Sequence, residues 1–438
     1  MLRTIDLRGR RLTTAQLLTA VPRAQAARAE ALQAAADIVA DVRTRGEAAL
    51  RAQAARFDRV EGHEIRVPAR HLDEALERLD PVVRAALEEA IRRVRIASAA
   101  QVPAPTVTEL GPGARVEQRW QPVRRAGVYV PGGKAVYPSS VIMNVVPAQV
   151  AGVGEVALAS PPQAEFGGRV HPDILAAARL LGVTEVYAMG GAGAVGAYAY
   201  GIDSLDLDPV DVVTGPGNNF VAAAKRAVGG LVGTDSEAGA TEILVVADEH
   251  ADAALIAVDL ISQAEHDEQA SAVLVTWSPD LADRVRAEVA DRVVRTRNAA
   301  RATEALNGPQ SAIVLVDDLS TATAFSNAYA PEHLELHLRA PRPEDFVNAG
   351  AVFVGENSPV SLGDYLAGSN HVLPTGGQAR YAAGLSASTF LRPQQLIVYD
   401  RQALRAVHDD IVALAVAEEL PAHGEAVTAR FADPSTGA

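Results

Sequence analysis

The chain has 438 residues, 48% of them hydrophobic, so it is long and apolar enough to bury a sizeable core over about three domains. Its net charge of −14 supplies no footprint for nucleic acid or for an anionic membrane surface. It has no cysteine, which excludes disulfides, thiolate metal sites and cysteine nucleophiles and leaves His, Asp, Glu and Gln to hold any metal.

The charged start MLRTIDLRGRRLTT lacks an apolar segment and does not read as a secretory signal. No stretch is long and apolar enough for a membrane span, so the expected location is cytoplasmic. Residues 24 to 101 predict helices. An Ala-, Arg- and Glu-rich run reaches Phe57 with a break at Gly46. Pro81 opens the next helix as a first-turn residue, and that helix runs to about Ala100. RVEQRWQPV predicts a hairpin with the segment before Gly111-Pro112-Gly113.

From Arg125 the rhythm becomes strand and helix in alternation. GVYV ends in Pro131-Gly132-Gly133, and a helix from Ser139 to Val150 is expected to be interrupted at Pro147. EVALAS, a helix from Pro172 to Leu181, EVYAM, a helix after Gly191, DVVTG and a helix from Asn218 to Val228 follow. The rhythm then restarts with the strands TEILVVAD, AVLVTWS, SAIVLVD, HLELHL and AVFVG, each followed or preceded by a helix. This predicts an α/β protein with two similar parallel-sheet domains, on rhythm alone and without an alignable repeat. After His371 a Gly- and Ser-rich connector leads to one strand, FLRPQQLIVYD, and to helices in a tail too small to bury a core of its own.

Five constellations can carry chemistry. Gly191, Gly193 and Gly196 form GxGxxG after a strand and before a helix, with Asp211 downstream as a ribose-binding acid, although Ala and Gly crowd the region. Gly215-Pro216-Gly217-Asn218 is a second glycine turn whose amides can face a phosphate. In ISQAEHD, Gln263 and His266 are three apart at the end of a helical run, placing an amide oxygen and an imidazole on one face. The bland alternative is a solvated helix end among Glu265, Asp267 and Glu268. Glu332 and His333 follow Pro331 and precede a strand-like alternation, so a carboxylate and an imidazole share one loop and can relay protons near neutral pH, although a loop pair satisfied by backbone or water is the plainer reading. Asp364 and His371 lie in an ordered-loop composition, SPVSLGDYLAGSNHVLPT, where turn chemistry is the plainer reading. His423 in ELPAHGEAV is a lone histidine between helices. GxSxG and Walker A motifs are absent.

Together the stretches GVYVPGGKAVYPSSVIMN, GPGNNF, TEILVVAD after Glu237-Ala238-Gly239, DLISQAEHDE, NAYAPEHLEL, SLGDYLAGSNHVLPT and EELPAHGEAV resemble the histidinol dehydrogenases in order and along nearly the whole chain. The resemblance implies an enzyme with one zinc per subunit that uses two NAD in succession. It would oxidise L-histidinol through L-histidinaldehyde to L-histidine, the last steps of histidine biosynthesis. It implies two Rossmann-like domains and a homodimer with shared active sites, the C-terminal tail of each subunit crossing to the other. The implied division is an N-terminal segment 1–24, a first α/β domain from 25–125 and 239–378, a cofactor-side domain 126–238 and a dimer-crossing tail 379–438.

By the same resemblance the zinc ligands are Gln263, His266, Asp364 and His423, and the acid–base pair is Glu332 and His333. Substrate would meet these ligands together with Thr241, His333, His371 and Glu418. The cofactor would meet Tyr129, the position of Gly193, and Asn218. Two residues depart from the family pattern: Gly193 stands where a cofactor-contacting Gln is usual, so the GxGxxG match is coincidental, and Ala240 where Pro is usual. Other readings are a related zinc and NAD dehydrogenase that oxidises another primary alcohol to its acid, a zinc hydrolase with Glu332 activating water, and a non-catalytic protein that binds histidine.

Overall fold

The computed structural model describes residues 1–23, 28–132, 136–236 and 239–432, so Gly133 of the first glycine turn and the Glu237-Ala238 pair lie outside the described residues. The chain divides into two compact units, Met1–Val102 with Val123–Phe390, and Pro103–Pro122 with Leu391–Ala438. Early in the chain come β1 (Arg3–Asp6), β2 (Thr106–Gly111) and β3 (Ala114–Pro122). A first series follows: β4 (Arg125–Tyr129), β5 (Glu155–Ser160), β6 (Glu185–Ala188), β7 (Val212–Thr214) and β8 (Gly233–Thr234). The second series is β9 (Glu242–Ala247), β10 (Ser271–Thr276), β11 (Ala312–Leu315), β12 (His333–His337) and β13 (Ala351–Val354), and β14 (Leu391–Tyr399) comes last.

The first unit holds two parallel sheets, ordered β6-β5-β4-β7-β8 and β1-β11-β10-β9-β12-β13. Numbered within its own series, each reads 3-2-1-4-5, the doubly wound order with its switch point between first and fourth strands. The expected pair of similar parallel sheets is therefore present, and the shared order is what rhythm alone could not supply. Every residue of β4, β9, β10, β11 and β12 is buried, as strands covered on both faces require.

Three expectations change. The first strand of the chain, expected in a separate N-terminal segment, joins the second series as an edge, β1 pairing in parallel with β11 from Arg3↔Ala312 to Asp6↔Leu315. The helices Arg28–Arg45 and Glu47–Gln53, placed by sequence with residues 239–378, pack instead on the Gly191–Tyr200 and Asn219–Ala227 helices. Their Ala31, Ala35, Val39 and Leu50 share one core cluster with Tyr187, Val195 and Val213. Their apolar stripe needs a covered helical layer, and the Ala- and Gly-rich helices between β6 and β8 supply one at close range: Gly196 has no Cβ to hold Val39 away.

Third, Pro147 does not interrupt its helix, which runs unbroken from Pro138 to Ala151. Proline removes the N–H that would bond the carbonyl one turn earlier, at Met143. That carbonyl accepts instead from the Asn370 side chain at 2.6 Å. The helix survives because a residue far along the chain replaces the missing donor.

At the carboxyl ends of β9 and β12, Asp248 closes the gap. Its carboxylate accepts the backbone N–H of Arg339 at 2.7 Å and of His250 at 3.0 Å, and its own N–H donates to the His337 carbonyl at 3.2 Å.

The second unit is an antiparallel sheet, β14-β3-β2, followed by the helices Arg401–Ala406, His408–Ala417 and Pro421–Thr428. The hairpin of β2 and β3 is as expected, but it belongs with the tail: β14 pairs with β3 along its whole length, Leu391↔Pro122 to Tyr399↔Ala114. Much of this unit's apolar surface is open, including Val107, Leu110, Ile397, Leu414 and Val416.

Candidate active site

Within the first unit a cavity of about 680 Å³ lies against the carboxyl ends of β4 and β7, where Tyr129, Pro216 and Asn218 line it. Its other wall is made at the amino ends of β9 and β12 by Thr241, Glu332 and His333. The β4–β8 sheet thus meets this cavity at its switch point, and the β9–β12 pair meets it at the opposite edge. The volume is within the range of small-molecule sites.

Gln263 is fully buried near the end of the Ala253–Ala264 helix. Its Nε2 donates to the Thr241 hydroxyl, which donates to Glu332 Oε2 at 2.5 Å. Its Oε1 is buried with no hydrogen-bond partner. A buried amide oxygen without a donor costs about 1–3 kcal/mol, so it calls for an electropositive group. His266 lies past the helix, whose last residue is Ala264, rather than on its final turn as the spacing implied. It lines the cavity all the same, and burial lowers its proton affinity. Asp364, on the short Val360–Tyr365 helix, also lines it. Gly363 lets that helix approach, since a Cβ there would sit 2.6 Å from the Phe353 ring. A carboxylate, an amide oxygen and a neutral imidazole form a donor set that suits a borderline divalent cation. His423, the expected fourth ligand, belongs to the second unit, where it stands exposed on the Pro421–Thr428 helix, and Glu418 is exposed at the end of the helix before it.

Glu332 Oε2 accepts from the Thr241 hydroxyl and from the Glu242 backbone N–H at 2.8 Å. Burial nevertheless raises its carboxyl well above the carboxylate range, partly offset by those two donors and reinforced by Glu242 and Asp364 nearby. His333 Nδ1 is 3.1 Å from the Glu242 carbonyl and 3.6 Å from Glu332 Oε2. A carbonyl only accepts, so Nδ1 carries the hydrogen and Nε2 of the neutral ring is the basic nitrogen. Burial holds this imidazole below its usual proton affinity. The pair is therefore two separately anchored groups, not one hydrogen-bonded relay. Sequence reasoning missed the anchor, because a backbone carbonyl can come from any residue.

His371 is fixed at both nitrogens: Nδ1 donates to the Asp364 carbonyl at 2.9 Å and Nε2 accepts from the Ser140 hydroxyl at 3.0 Å. Its proton affinity is lowered by burial. Ser140 was missed as an individual residue, though it sits in the quoted YPSS stretch at the start of the helix carrying Pro147.

On the other wall the Tyr129 hydroxyl accepts the Gly191 N–H at 3.2 Å, and burial raises its proton affinity to about 12. Asn218 caps the Asn219–Ala227 helix, its Oδ1 accepting from Phe220 and Val221. Ala240 lines the cavity beside Thr241. Gly193 is buried in the Gly191–Tyr200 helix, and a Cβ there would meet Gln53 Oε1 at 1.9 Å. The Gln53 side chain, reaching from a neighbouring helix, thus occupies the space beside Gly193. Asp211 is not a ribose acid either: it precedes β7 at the amino end, and its Oδ2 accepts the backbone N–H of Arg124 and Arg125.

The family model for histidinol dehydrogenase matches residues 21–431. A histidinol dehydrogenase of Leifsonia xyli subsp. xyli is 63% identical over 98% of this chain and 99% of its own length. One from Corynebacterium diphtheriae is 56% identical over 98% of each. The crystal structure of histidinol dehydrogenase from Elizabethkingia anophelis superimposes with a TM-score of 0.91 at 30% identity, covering 98% of both chains.

Proposed function

The chain belongs to the histidinol dehydrogenase family, and from that premise we propose that it oxidises L-histidinol through L-histidinaldehyde to L-histidine, with zinc and two NAD, as the last steps of histidine biosynthesis. The observation that carries the reading is the linked set Gln263–Thr241–Glu332 beside His333, in which the amide oxygen is left without a donor and the imidazole presents a basic nitrogen.

Gln263, His266, Asp364 and His423 would hold zinc. Bound there, zinc supplies Lewis acidity and a fixed point for the substrate's nitrogen donors. Tyr129 and Asn218 would meet NAD, the hydride acceptor. His333 Nε2 takes the proton of the substrate hydroxyl as the carbinol is oxidised, its ring held in one tautomer by the Glu242 carbonyl. In its ionised form Glu332 takes a proton from the water that adds to the aldehyde and later loses it to solvent, while His333 gives its proton to the aldehyde oxygen and takes up a hydroxyl proton again as the hydrate is oxidised. Thr241 keeps that carboxyl turned toward Gln263. His371, Thr241 and Glu418 would position the substrate.

His423 and Glu418 stand among the exposed apolar residues Leu414, Val416 and Leu420 of the second unit. Open apolar surface beside two expected site residues supports a homodimer in which this unit serves the partner's site.

The test is turnover of L-histidinol with NAD, followed in the reduced-nicotinamide band. Dialysis against a chelator should abolish it and zinc should restore it. Full activity in a metal-free preparation refutes the zinc assignment, and hydrolysis without nicotinamide reduction refutes the reaction.

A further inference from the structure

Strand alternation puts His333, Glu335 and His337 on one face of β12, and a helical turn puts Asp259 beneath Gln263. Glu335 is almost wholly buried between them. Its Oε2 lies 3.2 Å from His337 Nε2, and its Oε1 accepts the backbone N–H of Val360 at 2.8 Å. Asp259 hydrogen bonds to it as well, with Oδ2 at 4.0 Å from His337 Nε2.

Ligand atoms of Asp259, Glu335 and His337 lie within 4.8 Å of one another, the one such grouping of His and acidic residues found among the described residues. An ion site is the obvious reading, and the contacts speak against it. Each group already has a protein partner, and none is among the buried unpartnered polar atoms, whereas Gln263 Oε1 one turn along is. Burial together with the neighbouring Glu335 raises Asp259's carboxyl to about 7, so the two carboxyl groups in hydrogen-bond contact share a proton below neutral pH.

The three residues belong to, or bond to, three elements. These are the helix carrying Gln263 and leading into His266, the strand opening with His333, and the helix carrying Asp364. Glu335 reaches the first nitrogen of that last helix. We propose that Asp259, Glu335 and His337 are positioning residues that set the mutual placement of Gln263, His266, Asp364 and the His333 ring, and hence the affinity of the site for its metal. The proposal deepens the zinc reading and rests on it.

The experiment is zinc competition with a chromophoric chelator on the full-length protein stripped of metal, together with steady-state KM values. Asp259→Ala and Glu335→Ala should bind zinc about 10-fold or more weakly, the scale of groups that orient metal ligands. Their KM for histidinol should rise while KM for NAD holds, because the cofactor wall stands on the β4–β8 sheet. Asp259→Asn, an amide in place of a protonated carboxyl, should restore zinc affinity to within about 2-fold. Unchanged zinc affinity in both alanine variants overturns the proposal. So does a matching rise in KM for NAD, which marks general loosening, and so does a second wild-type zinc lost in Asp259→Ala, which makes the cluster an ion site. Should the alanine variants not fold, Asp259→Ser carries the same comparison. A wild-type protein that binds no zinc refutes the zinc reading itself, and the positioning role falls with it.

Discussion

Glu332 and His333 were legible as a pair because Pro331 ends one element and alternation begins the next. Their separate anchoring was not, since it depends on the Glu242 carbonyl and the Thr241 hydroxyl. That separation gives a prediction. Glu332→Gln should slow oxidation of histidinol to histidine by about 10²–10⁴-fold, the usual scale of lost proton transfer, and slow reduction of added histidinaldehyde by NADH far less. Equal losses in the two assays would make Glu332 structural only. Gly193 gives a contrary lesson. The resemblance puts a cofactor-contacting Gln there, but the Gln53 side chain occupies that space, so Gly193→Gln alone should lower thermal stability. Pairing it with Gln53→Ala should recover the stability, and additive losses in the pair would refute the collision. A third residue matters at neutral pH. Burial raises Asp58 to about 6. The folded state therefore binds a proton more tightly than the unfolded one, and stability falls as pH rises from about 4 to about 6 and stays lowered above that. Asp58→Asn should stabilise the protein by about 1–2 kcal/mol at pH 7–8, discounted for partial exposure, and hardly at all at pH 4. Urea titration at both pH values is the check, and an equal gain at both refutes the assignment.

Among the elements, periodicity and Pro or Gly punctuation located most strands and helices of both series. They failed where a local rule was overruled from a distance. Pro147 should have broken its helix and did not, because Asn370 covers the Met143 carbonyl. Asn370→Ala should then cost about 1–3 kcal/mol, the penalty of an unsatisfied buried acceptor. Pro147→Ala restores a helical N–H, so the double variant should lose less than Asn370→Ala alone. Chemical denaturation of the four proteins closes the cycle, and simple additivity would show that Asn370 is not serving that carbonyl. His266 is the second case: spacing put it on the helix, whereas the helix ends at Ala264 and the turn delivers the ring to the cavity.

At the scale of the molecule, the two parallel sheets were legible from rhythm and the assignment of pieces to them was not. β1 pairs with a strand about three hundred residues later, β3 with β14 at a similar distance, and neither pairing leaves a local trace in composition. The second unit holds His423 and the first holds Asp364. If the proposed crossed homodimer forms, mixing His423→Ala with Asp364→Ala under subunit exchange makes about half the dimers mixed, each with one intact site. About a quarter of wild-type activity should return. No activity, with exchange confirmed independently, would show that each chain completes its own site.

The two sheets share one strand order, yet the cavity described above opens at the carboxyl ends of the β4–β8 sheet. The corresponding crevice between β9 and β12 is stoppered by Asp248, which holds Arg339 and His250 by their backbone N–H groups. One strand order thus serves the same cavity from opposite edges, the first sheet at its carboxyl rim and the second at its amino rim. The Asp248 rim therefore works as a latch rather than a mouth, its carboxylate occupied by two backbone N–H groups.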